Sequence, residues 1–382
     1  MVDTQTTWGG WGPAVRDDPF GHFAKARARC PVQKVRLADG HPAWLVLGYD
    51  AARQALNDPR ISKDMLAALE DNGDVVAGGL PGPEFSRHML NVDPPDHTRL
   101  RRLVSRAFVP SRVSALEPAI RGIADDLLDE LGDAGPDGIV DLIEGYAYPL
   151  PFRVIGELLG IPPADRPPLH AWFQVLLTGW AGDPPADAVE ASGKIVAYLG
   201  ELVAAKRSSP ADDLVSVLVA ANDDALTSQE LLSSLFQLIV AGHDTTASLI
   251  GNAVVAILRD GATVDTVIAE VLRHDPPVPH ATFRYAVEAV DVGGVTIPAG
   301  AQVLISIASA NADSTAPHLA FGSGAHFCLG AGLARMEGEL AITSLCARFP
   351  ELRLACAFDD LHWSHGDGLV LRGLAALPVR LR

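Results

Sequence analysis

Three features of the sequence predict a mainly helical fold with a minor sheet component. Apolar residues at helical spacing, in places interrupted by proline, fill much of 112–135, 140–160, 169–182 and 185–207, and 211–222 reads as a further short helix. The longest apolar helical run, Thr227–Leu258, opens with Thr227-Ser228-Gln229-Glu230, a sequence that fits a capping box. After Pro276 the pattern changes to short β-like pieces such as Val303–Ile307. No linker divides the 382 residues, so 1–382 reads as one domain, with about the first 20 residues an extended arm.

Taken in order, Trp44–Tyr49 is a short strand running into a helix from Asp50 to Asn57. The Gly/Pro-rich stretch Asp71–Pro83 has the composition of a lid or substrate-facing loop. Asp93-Pro94-Pro95-Asp96 introduces a basic helix, with acid and proline where a helix start favours them. The long run Thr227–Leu258 exceeds twenty residues, but Gln237, His243, Asp244, Thr245, Thr246 and Asn252 interrupt it. It therefore reads as the buried central helix of a large soluble protein, not as a membrane span. A final helix covers Gly330–Arg348, followed by strand-like Leu352–Ala355 and Leu369–Leu371.

A net charge of −17 argues against nucleic acid as a partner. The four cysteines, Cys30, Cys328, Cys346 and Cys356, form no C-x-x-C pair and have no zinc-like spacing, which suits free thiols in a reducing compartment. The first 20 residues have neither a basic segment with an apolar core nor an apolar anchor, so the expected location is the cytoplasm.

The chemistry concentrates in Phe321-Gly322-Ser323-Gly324-Ala325-His326-Phe327-Cys328-Leu329-Gly330-Ala331-Gly332-Leu333-Ala334-Arg335. One cysteine lies between a glycine-loosened loop and the start of a helix. Glycine lets backbone approach a flat ligand, and a helix N-terminus presents free N–H groups that favour thiolate. Such a site suits an axial thiolate on haem iron. A second run, Ala241-Gly242-His243-Asp244-Thr245-Thr246, sets an acid beside an alcohol in mid-helix. There a threonine hydroxyl can bond a carbonyl one turn back. Glu270 and Arg273, three apart, share a helix face and could form a buried pair. His97 and Arg101 lie one turn apart, within joint reach of a pair of carboxylates.

At every fixed position the first run resembles the haem-binding signature of the cytochrome P-450 family, and the second resembles that family's oxygen-activation motif. The resemblance extends from Trp44 to Val379. It implies the P-450 fold, with a long central helix over haem b (iron protoporphyrin IX) and small sheets at the periphery. It implies Cys328 as axial ligand to the iron, Thr245 hydrogen-bonding the iron-bound oxygen and Asp244 feeding protons inward, with His243 as a packing residue. His97, Arg101, Arg284 and His326 would hold the propionates, and Glu270 with Arg273 would stabilise the proximal side. Leu90, Gln237, Val240, Ala241, Pro279 and His280 would face the substrate, although His280 could equally be a packed loop residue.

Arg99, Arg102, Arg106 and Arg335 could form a docking patch for an acidic ferredoxin, or be ordinary surface arginines. Two segments depart from the family. Residues 308–317 lack the usual phenylalanine and arginine, and 260–268 is abbreviated, which leaves Glu270 and Arg273 short of a partner.

The function implied is that of a soluble haem-thiolate monooxygenase. It would insert one atom of O2 into a small apolar or amphipathic organic substrate, in natural-product tailoring, with electrons from ferredoxin and ferredoxin reductase. The alternatives are a peroxide-driven oxygenase, disfavoured by the Asp244–Thr245 pair, and a P-450-like module that binds haem or a carrier protein without oxygen chemistry.

Overall fold

The central helix, Ser228–Asp260, organises the molecule. Its capping box forms: the Thr227 hydroxyl accepts from the Glu230 N–H at 3.2 Å and the Glu230 carboxylate accepts from the Thr227 N–H at 2.8 Å. Glu230 is buried and also takes two bonds from Arg99, which ties the helix 96–104 to the start of the central helix. At the far end Gly261 stops the helix at φ +71°, a conformation that favours glycine. Around this axis pack the helices 149–159, 331–348 and 267–274, with 117–132 against 331–348. A computed structural model supplies these coordinates, and it describes residues 6–7, 19–37, 40–64, 85–132, 138–177, 185–220, 226–364 and 371–382.

The sheet lies to one side of the helices. Among the described residues its six strands run Thr6–Thr7, Val32–Arg36, Pro42–Val46, Gln302–Ile305, Arg284–Ala286 and Ile61–Ser62. Pro42–Val46 and Gln302–Ile305 pair in parallel, joining the two ends of the chain, and Ile61–Ser62 pairs antiparallel with Arg284–Ala286 at the edge. Two apolar clusters cover the sheet, and a much larger one fills the helical part.

The element boundaries differ from the sequence expectation where tertiary pairing overrides helical periodicity. The helix expected over 140–160 begins as a strand, Ile139–Asp141, paired with Pro378–Arg380. It continues as a π-helical turn, Ile143–Ala147, and becomes α-helical only at Pro149–Leu159. A Cβ at Gly251 would come within 2.8 Å of Ile143, so the central helix and this turn meet where one side chain is missing. The 112–135 pattern divides into Pro110–Ala115 and Glu117–Gly132. The 169–182 pattern is realised as Arg166–Leu177. Asp71–Pro83, residues 369–370 and most of the N-terminal arm lie outside the described residues. Among the described residues no helix is long and apolar enough to cross a membrane.

The segment after Ile307 is a helix, Ile307–Asp313, capped by the Ser306 hydroxyl, which accepts from the Ser309 N–H at 3.3 Å. It is anchored without the expected phenylalanine and arginine. Arg273 donates to the carbonyls of Ser314 and Ala316 at 3.1 and 2.9 Å. Arg27 pairs with Asp313 at 2.9 Å, and the Tyr49 hydroxyl donates to Pro317 O at 2.8 Å. Asn311 bridges Leu272 O and the Leu319 N–H.

The expected buried Glu270–Arg273 pair does not form. Glu270 is exposed and accepts from the Thr266 hydroxyl, while backbone carbonyls take both Arg273 amino groups. Arg273→Met removes two charge-assisted bonds and should lower unfolding stability by about 1–3 kcal/mol. Glu270→Gln should stay within about 0.5 kcal/mol in urea titrations. Equal losses would restore the ion pair as the important contact.

Candidate active site

The signature loop is a tight, multiply tethered turn. Cys328 N–H donates to Phe321 O at 2.8 Å, Phe327 N–H to Gly324 O at 3.0 Å and Gly322 N–H to Leu319 O at 2.7 Å. Gly324 has φ +73°, and a Cβ there would strike the Asn57 side chain of the helix 49–57. Arg101 reaches across from the helix 96–104 and donates to Phe327 O at 2.6 Å. Arg335 lies over the Phe321 ring at 4.8 Å.

Cys328 is accessible, directly ahead of the helix Ala331–Arg348. The Gly330 N–H at the helix start and Arg101 both favour the Cys328 thiolate, against desolvation of the sulfur in the loop, which pushes the thiol up.

Beside the loop, basic side chains gather around Asp93. The His97 and His326 rings are 4.2 Å apart, and His326 Nε2 is 3.9 Å from Asp93 Oδ1. Arg284 is buried, donates to Ile61 O at 3.4 Å and is pushed down to about 10 by burial against the pull of Asp93. His326 is pushed down to about 2 by burial and by the neighbouring His97, Lys63, Arg284 and Arg101. Among the described residues two buried nitrogens, Arg284 Nε, a donor, and His97 Nε2, have no hydrogen-bond partner.

In the central helix the Thr245 hydroxyl donates to Ala241 O at 2.7 Å. Gln237, Ala241, Thr245 and Ser248, on one helix stripe, are partly or fully accessible, whereas Leu238, Ile239, His243, Thr246, Ala247 and Leu249 are buried. An accessible stripe in the middle of a core helix lines open space. Gly242 faces the neighbouring helix instead, where a Cβ would meet Ile155 at an ordinary 3.6 Å.

Burial pushes the Asp244 carboxyl up to about 6, and the nearby Tyr148 hydroxyl acts the other way by favouring the anion. His243 is buried, with Nε2 3.1 Å from Tyr148 O and Nδ1 3.4 Å from Asp244 Oδ1. Burial pushes it down to about 3. Tyr148, His170 and Phe152 surround its ring.

The family model described as Cytochrome P450 matches residues 262–316 and 309–352. Cytochrome P450 107B1 of Saccharopolyspora erythraea is 42% identical, with 96% of each chain covered. The chain belongs to the cytochrome P450 family. Cytochrome P450 monooxygenase PikC of Streptomyces venezuelae is 40% identical, over 98% of this chain and 94% of PikC. The structure of the tirandamycin C-bound P450 monooxygenase TamI superposes with a TM-score of 0.84 at 38% identity, covering 97% of this chain and 98% of TamI.

Like its relatives, this P450 is an oxidoreductase with haem as cofactor. The donor set fits that group: an accessible cysteine sulfur, and at one side buried basic side chains with unpartnered nitrogens suited to carboxylates. Cys328, His97, Arg101, Arg284 and His326 are the residues that would hold it.

The other sequence-derived positions in this P450 are placed as follows. Pro279 and His280 are buried, His280 as the packed loop residue of its two alternatives. A bridge to Ser306 turns the His280 ring edge-on to Phe23, 5.6 Å away, and the accessible residues of that loop are Ala281, Thr282 and Phe283. Leu90 is half-buried, its N–H donating to His88 Nδ1, and Val240 packs on the main core cluster. Arg99 is committed to Glu230 and Asp96, while Arg102 and Arg106 are exposed.

Sequence reasoning missed Tyr148, which sits a hundred residues from Asp244 in a run with no motif of its own. The Asp244 carboxyl should lose its infrared C=O band with a midpoint near pH 6, a band missing from Asp244→Asn. Tyr148→Phe removes the hydroxyl that favours the anion and should move the midpoint upward. A wild-type midpoint near 4 would mean a solvated carboxylate.

Proposed function

We propose that this P450 inserts one atom of O2 into a small apolar or amphipathic molecule of the natural-product type, with electrons supplied by a ferredoxin and its reductase. The substrate class is supported by the tirandamycin C-bound TamI and the monooxygenase reading by TamI and PikC, both similar to this chain along nearly its whole length. The overall reaction combines substrate, O2, two electrons and two protons to give oxygenated product and water. Bound haem supplies the iron at which dioxygen is reduced and its bond cleaved.

The observation that carries the reading is the Asp244–Thr245 pair at the accessible stripe. Two protons must reach the oxygen atom that leaves as water, and they must do so in a site screened from bulk solvent. A carboxyl poised at about 6 is close to half-protonated near that pH and can give up and regain a proton with little cost. The nearby Tyr148 hydroxyl favours the Asp244 anion and so offsets part of the effect of burial. Thr245 spends its hydroxyl proton on Ala241 O, which fixes the oxygen lone pairs as acceptors for a proton arriving from Asp244's side. Exposed Arg102 and Arg106 offer positive charge to an acidic electron donor on an otherwise acidic protein.

Under labelled O2 the wild-type product should carry one labelled oxygen. Thr245→Ala should lower product formed per reducing equivalent by about tenfold or more, with hydrogen peroxide making up the difference. Coupling equal to wild type would remove the pair from proton delivery. The double variant Arg102→Glu, Arg106→Glu should raise the ferredoxin concentration for half-maximal rate roughly tenfold at low salt, with the difference shrinking as salt screens it. An unchanged value would place docking elsewhere.

A further inference from the structure

Lys63 is a buried lysine that the sequence reading passed over. It follows the edge strand Ile61–Ser62, which pairs antiparallel with Arg284–Ala286 in the register Ser62 to Tyr285, so Lys63 emerges across from Arg284. The residue is 3% exposed, and its ammonium donates to the Thr282 hydroxyl. A buried ammonium with one neutral acceptor is a costly arrangement, because lysine loses most of its hydration and gains little in return. Arg284 beside it adds repulsion, and among the described residues Asp93 is the carboxylate that acts on both.

Asp93 is itself already engaged. Its Oδ1 accepts from the Lys63 backbone N–H at 3.1 Å and its Oδ2 from the Ser62 hydroxyl. The same charges extend toward the signature loop: His326 feels Lys63, Arg284 and Arg101 together, and Arg101 in turn acts on Cys328. Among the described residues, Lys63, Arg101 and Arg284 thus gather beside the His97 and His326 rings around one carboxylate, Asp93. The unpartnered nitrogens Arg284 Nε and His97 Nε2 lie in the same group. Two buried basic side chains, Lys63 and Arg284, share one carboxylate that is already hydrogen-bonded, an arrangement suited to further carboxylates such as the two propionates of haem b.

We propose that Lys63 is a fifth propionate-holding residue, joining His97, Arg101, Arg284 and His326, with the Thr282 hydroxyl orienting its ammonium. The edge strand and the loop 281–283 thereby become part of the cofactor cradle. The inference rests on haem binding and is independent of the oxygenase reading.

The test is the rate at which the holoenzyme loses haem to excess apomyoglobin, measured also after reconstitution with haem dimethyl ester, whose propionates are capped. Lys63→Met should speed loss of haem by roughly tenfold or more. It should leave loss of the diester within about twofold of wild type, and Lys63→Arg should restore most of the retention. Thr282→Val, which removes only the orienting hydroxyl, should give a smaller acceleration confined to haem. Equal acceleration of both porphyrins by Lys63→Met would reduce Lys63 to a structural role, and no acceleration would overturn the proposal. Should Lys63→Met fail to fold, Thr282→Val decides by the same comparison. The labelled-oxygen and coupling measurements report separately on oxygen insertion, so either idea can fail alone.

Discussion

The position of one sulfur atom sets the requirements for the rest of the molecule. Cys328 is fixed from three directions: by its own N–H on Phe321 O, by Arg101 on the adjoining Phe327 carbonyl and by the fit of Gly324 against Asn57. These contacts recruit the helices 96–104 and 49–57, and Arg335 of the helix 331–348 lies over the Phe321 ring, so the loop is tied to all three. The polypeptide does not stabilise the thiolate by itself, since burial outweighs the Gly330 N–H and Arg101. Haem iron would hold the Cys328 sulfur as thiolate, since a coordinating metal deprotonates a thiol outright.

The same logic holds at the cation cluster and reverses at the central helix. Around Asp93 the protein concentrates positive charge that suits carboxylates. At Asp244 it buries a single acid and raises its pKa into the range where protons move easily. The two environments lie on different elements, the sheet edge with the helix 96–104 and the middle of Ser228–Asp260. Cofactor holding and proton handling can therefore be altered separately. The shortened segment after Ile307 disturbs neither. Arg273, Arg27, Tyr49 and Asn311 hold it through backbone carbonyls and Asp313, taking over from the phenylalanine and arginine expected there.

Much of this was legible in the sequence where a motif is local. The signature loop, the Asp244–Thr245 pair and the capping box Thr227/Glu230 each depend on neighbours a few residues apart, and each appears in the expected element. What stayed hidden depends on long-range pairing. Lys63 meets Arg284 only because two short strands pair across more than two hundred residues. Tyr148 meets Asp244 only because the helix 149–159 packs on the central helix. The 140–160 pattern was misread because Ile139–Asp141 is drawn into a strand by Pro378–Arg380, a partner invisible to helical periodicity. Glu270 and Arg273 show the opposite failure. Their spacing permits a pair, but carbonyls of a distant segment bind the arginine first.

The most direct measurement is the carbon monoxide difference spectrum of the dithionite-reduced protein, wild type beside Cys328→Ser. A strongly red-shifted Soret band in the wild type, lost in the variant, is the result expected of a haem held by the Cys328 thiolate. A band at the position typical of neutral thiol or histidine ligation, or a red-shifted band that survives in Cys328→Ser, would contradict the account.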